Sequence, residues 1–149
     1  MQYPFAGMLS YKLSRLAEKI EAQFALRLAP FGITLPMYRV LIVLARNPGP
    51  HTLNSISRTI GVELSTLSRQ ITTMTKLGLV TRDRTSENGR IVQIDITARG
   101  REIALQLTPF TEQFDSLSKL NLDNRQLEEF HKILEIVEQN IEEIPRSGT

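Results

Sequence analysis

The sequence predicts a mainly α protein with one small β-hairpin. Three observations lead there. Apolar residues recur at steps of three and four through most of the chain, the period of a helix with one buried face. Strict alternation occurs at Val92, Ile94 and Ile96, close to Asn88-Gly89, a pair favoured in two-residue type I′ turns because both central residues need positive φ. Glycine and proline break the chain between these stretches: "PFG" at 30–32, "RNPGPH" at 46–51, then Gly61 and Gly78.

Taken in order, Leu9, Leu13, Leu16, Ile20, Phe24 and Leu28 mark a long amphipathic helix from residue 8 to about 29. Thr34 can cap a second helix, with Pro36 in its first turn. Its core, "MYRVLIVLA", is apolar enough to be buried on most sides. Thr52 can cap a short third helix with Leu53, Ile56 and Ile60 inward, ended at Gly61. The fourth helix turns Leu64, Leu67, Ile71, Met74 and Leu77 inward and stops at Gly78. The hairpin follows, "LVTRDRT" (79–85) and "RIVQIDIT" (90–97) around "SENG". Thr97 can cap a fifth helix with Ile103, Leu107, Phe110, Phe114 and Leu117 on one face. Pro109 should kink it, because its ring removes an amide donor. Asp123 caps the last helix, with Gln126 in capping-box spacing and a seam of Leu127, Phe130, Leu134, Val137, Ile141 and Ile144. The tail, 146–149, is expected to be disordered.

Composition limits the function classes. The 149 residues, 41% hydrophobic and 23% charged, suit one soluble domain or a compact unit with an extended oligomerisation part. No apolar run approaches the roughly 18–20 residues of a membrane span. The start, "MQYPFAGMLSYK", lacks a basic region followed by an apolar core, so no signal peptide is expected and the cytoplasm is the expected location. The lack of cysteine excludes disulfides, thiolate metal sites and thiol redox sensing. There is no GxSxG, no Walker-type loop and no paired histidine, since His51 and His131 stand eighty residues apart. Neither an enzyme, nor a metal site, nor a cofactor is expected.

Charge is unevenly spread. Residues 1–50 hold six Lys/Arg against two acids, residues 51–101 eight against four, and residues 102–149 four against ten. The sharpest feature is the fourth helix, whose outward face carries Ser65, Thr66, Ser68, Arg69, Thr72, Thr73, Thr75 and Lys76. Residues 64–82 contain no Asp or Glu. An ordinary solvated helix uses Glu freely, because Glu is a good helix former and Thr is not. Two short helices joined by a glycine turn make a helix-turn-helix; here the second is free of acids and a basic hairpin follows it. Its second helix enters the DNA major groove, where short donors and acceptors read base edges and carboxylates would meet phosphates. Ser65, Arg69, Thr72 and Lys76 form one stripe opposite the apolar seam. Arg82, Arg84 and Arg90 cluster on or beside a hairpin that can reach the minor groove, where focused negative potential favours arginine. Duller readings stand beside these: a merely solvated face, arginines that guard an edge strand, and a C-terminal seam that is monomer core. Phe31, Met37 and Tyr38 read as core.

The segments "LPMYRVLIVLARNPG", "LNSISRTIGVELSTLSRQITTMTKLGLVTR", "RDRTSENGRIVQIDIT" and "TARGRE" resemble the MarR (multiple antibiotic resistance regulator) family over nearly the whole chain. The resemblance implies a winged helix-turn-helix domain at 31–98 and dimerisation helices at 1–30 and 99–145. It also implies a recognition helix at about Glu63–Lys76 and a wing-tip arginine at Arg90. One departure stands out. The family's wing usually has an Asp two residues before that arginine, as an ion-pair clamp, and this chain has Asn88. A neutral amide can still bond the guanidinium, or Glu87 or Asp83 can serve.

The expected function is therefore a homodimeric, sequence-specific transcriptional regulator, a repressor on an inverted-repeat operator in double-stranded DNA. By resemblance it is released by a small aromatic or anionic effector. The expected recognition-helix contacts are Ser65, Thr66, Ser68, Arg69, Thr72, Thr73 and Lys76; those of the wing are Arg82, Arg84, Asn88 and Arg90. The expected dimer interface comprises Leu9, Leu13, Leu16, Phe110, Phe114, Leu127, Phe130, Leu134, Val137 and Ile141. The competing reading is a winged-helix interaction module that docks an acidic protein without sequence-specific DNA binding.

Overall fold

The computed structural model describes residues 7–84 and 91–145. Its elements run α1 (Leu9–Leu28), a 3₁₀ turn (Ala29–Phe31), α2 (Leu35–Arg46), β1 (His51–Thr52), α3 (Leu53–Ile60) and α4 (Leu64–Lys76). Then come β2 (Val80–Arg84), β3 (Val92–Ile96), α5 (Ala98–Ser118) and α6 (Asn124–Glu142). The chain divides into two compact units, Met1–Thr108 and Pro109–Thr149. No single described helix is long and apolar enough to cross a membrane.

In the first unit the apolar run of α2 becomes the centre of the core. Leu35, Tyr38, Val40, Leu41 and Leu44 are buried, and α2 packs against α1, α3, α4 and β3. Phe24 of α1 meets Tyr38 with ring centroids 6.3 Å apart. Ile56, Leu67, Ile71, Met74, Leu79 and Ile94 are buried with them, each 0% exposed. Each such side chain contributes about 1.5–3 kcal/mol relative to exposure, and α4 is fixed chiefly by its share of this burial.

Local chemistry sets the break between α3 and α4. Thr52 caps α3 by accepting from the Ser55 N–H at 3.2 Å. Gly61 ends it at φ 66°, in the left-handed region where glycine carries no Cβ penalty. The Ser57 carbonyl accepts from the N–H groups of Gly61 and Val62, at 2.9 and 3.2 Å. The Ser57 hydroxyl donates to the Val62 carbonyl at 2.6 Å. One serine therefore staples both sides of the turn.

The sheet has three antiparallel strands in the order β1-β3-β2. The hairpin ladder runs from Val80 opposite Ile96 to Arg84 opposite Val92. The sequence predicted two strands only. The third, β1, places His51 opposite Ile94 and Thr52 opposite Gln93, and two residues are too few to show any alternation. The Asn88-Gly89 turn lies outside the described residues, as does the tail at 146–149.

Thr97 joins the hairpin to α5. Its hydroxyl lies 2.7 Å from the Gly78 carbonyl oxygen, to which it donates, and accepts from the Gly100 N–H at 3.0 Å. A Cβ at Gly100 would come within 2.2 Å of the Leu79 carbonyl oxygen, so only glycine fits there. Helix α5 continues through Pro109 as one helix, and the two compact units divide at that residue.

In the second unit Asp123 and Gln126 close the expected capping box. The Gln126 N–H donates to Asp123 at 2.8 Å, and the Asp123 N–H donates to the Gln126 side chain at 2.9 Å. Phe110 and Phe114 pair with ring centroids 6.1 Å apart. No residue of α6 is buried.

Candidate nucleic-acid interface

Helix α4 separates its two faces sharply. Leu67, Ile71 and Met74 are 0% exposed, while Ser65, Thr66, Arg69, Thr72, Thr73 and Lys76 lie on the surface. Ser68 is half-buried at the flank. Leu64 departs from the inward seam that its spacing predicted: it is 45% exposed. As the first residue of the helix, it lies beyond the turn that the core covers.

The hydroxyls that make this helix unusual are tied to it. Thr72 donates to the Ser68 carbonyl at 2.9 Å, Thr73 to that of Arg69 at 3.2 Å and Thr75 to that of Ile71 at 2.8 Å. This i to i−4 bonding lets three threonines sit within one helix. It also commits each hydroxyl proton to the backbone, leaving oxygen lone pairs outward as acceptors.

Arg69 folds along the helix, with Nε 3.4 Å from the Ser65 carbonyl oxygen. Arg82 on β2 points a guanidinium nitrogen at the Thr72 hydroxyl oxygen, 3.5 Å away, so hairpin and helix present one continuous surface. Arg84 is exposed at the end of β2. Among the described residues the ion pairs are Arg15–Glu18 and Lys119–Asp115, so none of Arg69, Lys76, Arg82 and Arg84 is matched by a carboxylate. No side chain caps the start of α4, and Glu63 there leaves the first-turn amides uncovered. Unpaired cations and open helix-start amides are the groups that hold phosphate oxygens. Asn88 and Arg90 lie outside the described residues.

The structure brings Arg82 and Thr72 together, which the sequence did not foretell, because ten residues and a change of element separate them. Sequence reasoning also missed Ser57. A serine four residues before the glycine of "GV", in the last turn of α3, is the signal that could have found it, since its hydroxyl reaches the carbonyl beyond the turn.

The residues expected to form a dimer interface are not core in their own units. Leu9 and Leu16 on α1 are exposed and Leu13 is half-buried. In the second unit Phe130 and Ile141 are exposed, and Phe110, Phe114, Leu127, Leu134 and Val137 are half-buried. Ile133 and Ile136 widen the apolar face of α6.

Comparison with known proteins bears on this geometry. A family model described as MarR family matches residues 31–91, from the end of the first break to the start of β3. The helix-turn-helix transcriptional repressor IacR of Pseudomonas putida is 27% identical, over 91% of this chain and 74% of its own length. Among solved structures, MepR of S. aureus in complex with DNA superimposes with a TM-score of 0.82 at 17% identity, covering 89% of this chain and 98% of that one. CouR of Rhodococcus jostii RHA1, bound to p-coumaroyl-CoA, gives 0.73 at 17% identity, covering 92% and 95%.

Proposed function

We propose that the chain is a DNA-binding transcriptional regulator of the MarR family, whose model matches residues 31–91, and that it acts as a homodimeric repressor of an inverted-repeat operator. The observation that carries the reading is the solvent-facing side of α4, free of acids and stocked with hydroxyls, where Arg69 and Lys76 on the helix and Arg82 and Arg84 on β2 have no carboxylate partner among the described residues.

In this mechanism residues 31–98 are the DNA-binding domain, and the helices at 1–30 and 99–145 supply dimerisation. Lys76, Arg82, Arg84 and the first-turn amides of α4 grip phosphates and set the register. Ser65, Thr66, Ser68, Arg69, Thr72 and Thr73 read base edges, with Arg69 in bidentate contact with guanine. The wing carries Arg90, with Asn88 beside it, into the minor groove. A second copy covers the apolar faces of α1 and α6. A seam of this length on α6, half-buried at Leu127, Leu134 and Val137 and exposed at Phe130 and Ile141, with an acidic opposite face, is what a helix awaiting a partner looks like.

Two symmetric recognition helices demand half-sites about one helical turn, ~34–36 Å, apart. Any change in that separation alters affinity, and a small aromatic or anionic effector that binds one spacing better than the other releases the operator. CouR, in complex with p-coumaroyl-CoA, supports an aromatic acyl effector as the class to test.

Duplexes recovered from a random pool by the purified chain test the reading. It expects an inverted repeat, bound more tightly than either half-site alone. Equal binding to palindromic, single-site and scrambled duplexes would contradict it and favour a basic module that docks an acidic protein.

A further inference from the structure

We propose that Leu64 is a specificity-determining residue that reads a thymine through its C5 methyl group; the inference rests on the DNA-binding reading above. The starting point is the discrepancy at this position. A leucine three residues before Leu67 should share its burial, yet Leu64 is 45% exposed while Leu67 is 0% exposed.

Helix geometry explains where it goes. At 100° per residue, Leu64 lies roughly 55° round from the mean direction of Leu67, Ile71 and Met74, towards Ser68. Helical Cα–Cβ bonds tilt towards the N-terminus, so a side chain in the first position projects past the helix tip. The tip is the part of a recognition helix that approaches base edges.

The surroundings are apolar and open. Leu64 lines a groove of about 530 Å³ with Leu53, Ser65, Ser68, Ile91 and Val92. Ile91 is itself 51% exposed. The polar groups on this wall are small neutral ones, and the charged side chains Arg69 and Lys76 are elsewhere on α4. An aliphatic wall beside a hydroxyl- and cation-rich reading face has one matching group among major-groove base edges, the methyl of thymine. Cytosine has only hydrogen at C5 and carries its amino donor at the adjacent C4, so it would give the leucine no methyl to pack against and would risk burying that donor without a partner.

The test uses duplexes enriched from a random pool by the full chain. Each thymine in the recovered sequence is replaced singly by deoxyuridine, which removes the methyl and keeps the base pair. Kd is then measured for the wild type and for Leu64→Ala. The expected result is one thymine per half-site whose replacement weakens wild-type binding about fourfold, the scale of one buried methyl, and leaves Leu64→Ala binding unchanged. Wild-type affinity indifferent to every replacement overturns the proposal, and that arm decides it even if the variant fails to fold. Equal sensitivity of both proteins at every thymine overturns it too. If no duplex is enriched at all, the DNA-binding reading fails and takes this one with it.

Discussion

Helices α4 and α6 are both amphipathic, and they solve opposite problems. In α4 the apolar seam is consumed inside the chain: Leu67, Ile71 and Met74 vanish into the core of the first unit. Its polar face is then rigidly displayed, and that face has no acids. In α6 no residue is buried, the apolar seam is covered only in part, and the polar face carries Glu128, Glu129, Glu135, Glu138 and Glu142. On the proposed reading, one helix has completed its packing and offers polar groups to a polyanion, and the other offers apolar surface to a second copy of the chain. Burial pattern and charge pattern together separate a reading surface from an assembly surface, where either pattern alone would not.

Five variants probe that contrast. On α6, Leu134→Glu with Ile141→Glu should abolish the dimer, since each uncompensated buried charge costs about 3–5 kcal/mol. Sedimentation should then find a folded single chain; an unchanged dimer would place the interface elsewhere. On α4, Leu67→Ala should cost about 2–5 kcal/mol of stability in denaturant unfolding, as for any well-packed core leucine. A cost below that of an exposed site would mean that the seam is not core.

Smaller effects follow at the polar positions. Arg69→Ala should weaken operator binding by about 1–3 kcal/mol and relax one base position, whereas Lys76→Ala should weaken all sequences alike. A panel of half-site variants distinguishes the two patterns, and their reversal would exchange the roles assigned to these residues. Asp123→Ala should remove one side of the capping box and cost about 1 kcal/mol in thermal or denaturant unfolding. It should leave affinity per dimer untouched, because the cap belongs to α6 in the second unit and neither to α4 nor to the hairpin.

Much of the fold was legible because its signals are local. The caps at Thr52, Thr97 and Asp123, the left-handed glycines 61 and 78 and the apolar period of α4 each depend on residues within a few positions of one another. What escaped depends on neighbours distant in sequence or on the ends of elements. Strand β1 exists because Ile94 and Gln93 offer an edge to His51 and Thr52, and nothing within residues 46–52 announces it. Leu64 fits the seam by spacing and misses it by position, because the core ends before the first turn does. The need for glycine at 100 comes from the Leu79 carbonyl, twenty-one residues earlier. The exposed stripe of α4 was readable for a chemical reason: exclusion of acids leaves a compositional trace that burial alone does not.

The most direct measurement is the salt dependence of binding to the enriched duplex. If cations on and beside α4 neutralise phosphates, log K falls linearly with log salt, by about 0.9 per phosphate neutralised. The slope becomes shallower in Lys76→Ala, Arg82→Ala and Arg84→Ala. An affinity that ignores salt, or a slope that none of the three substitutions changes, would contradict the assignment of this face to DNA.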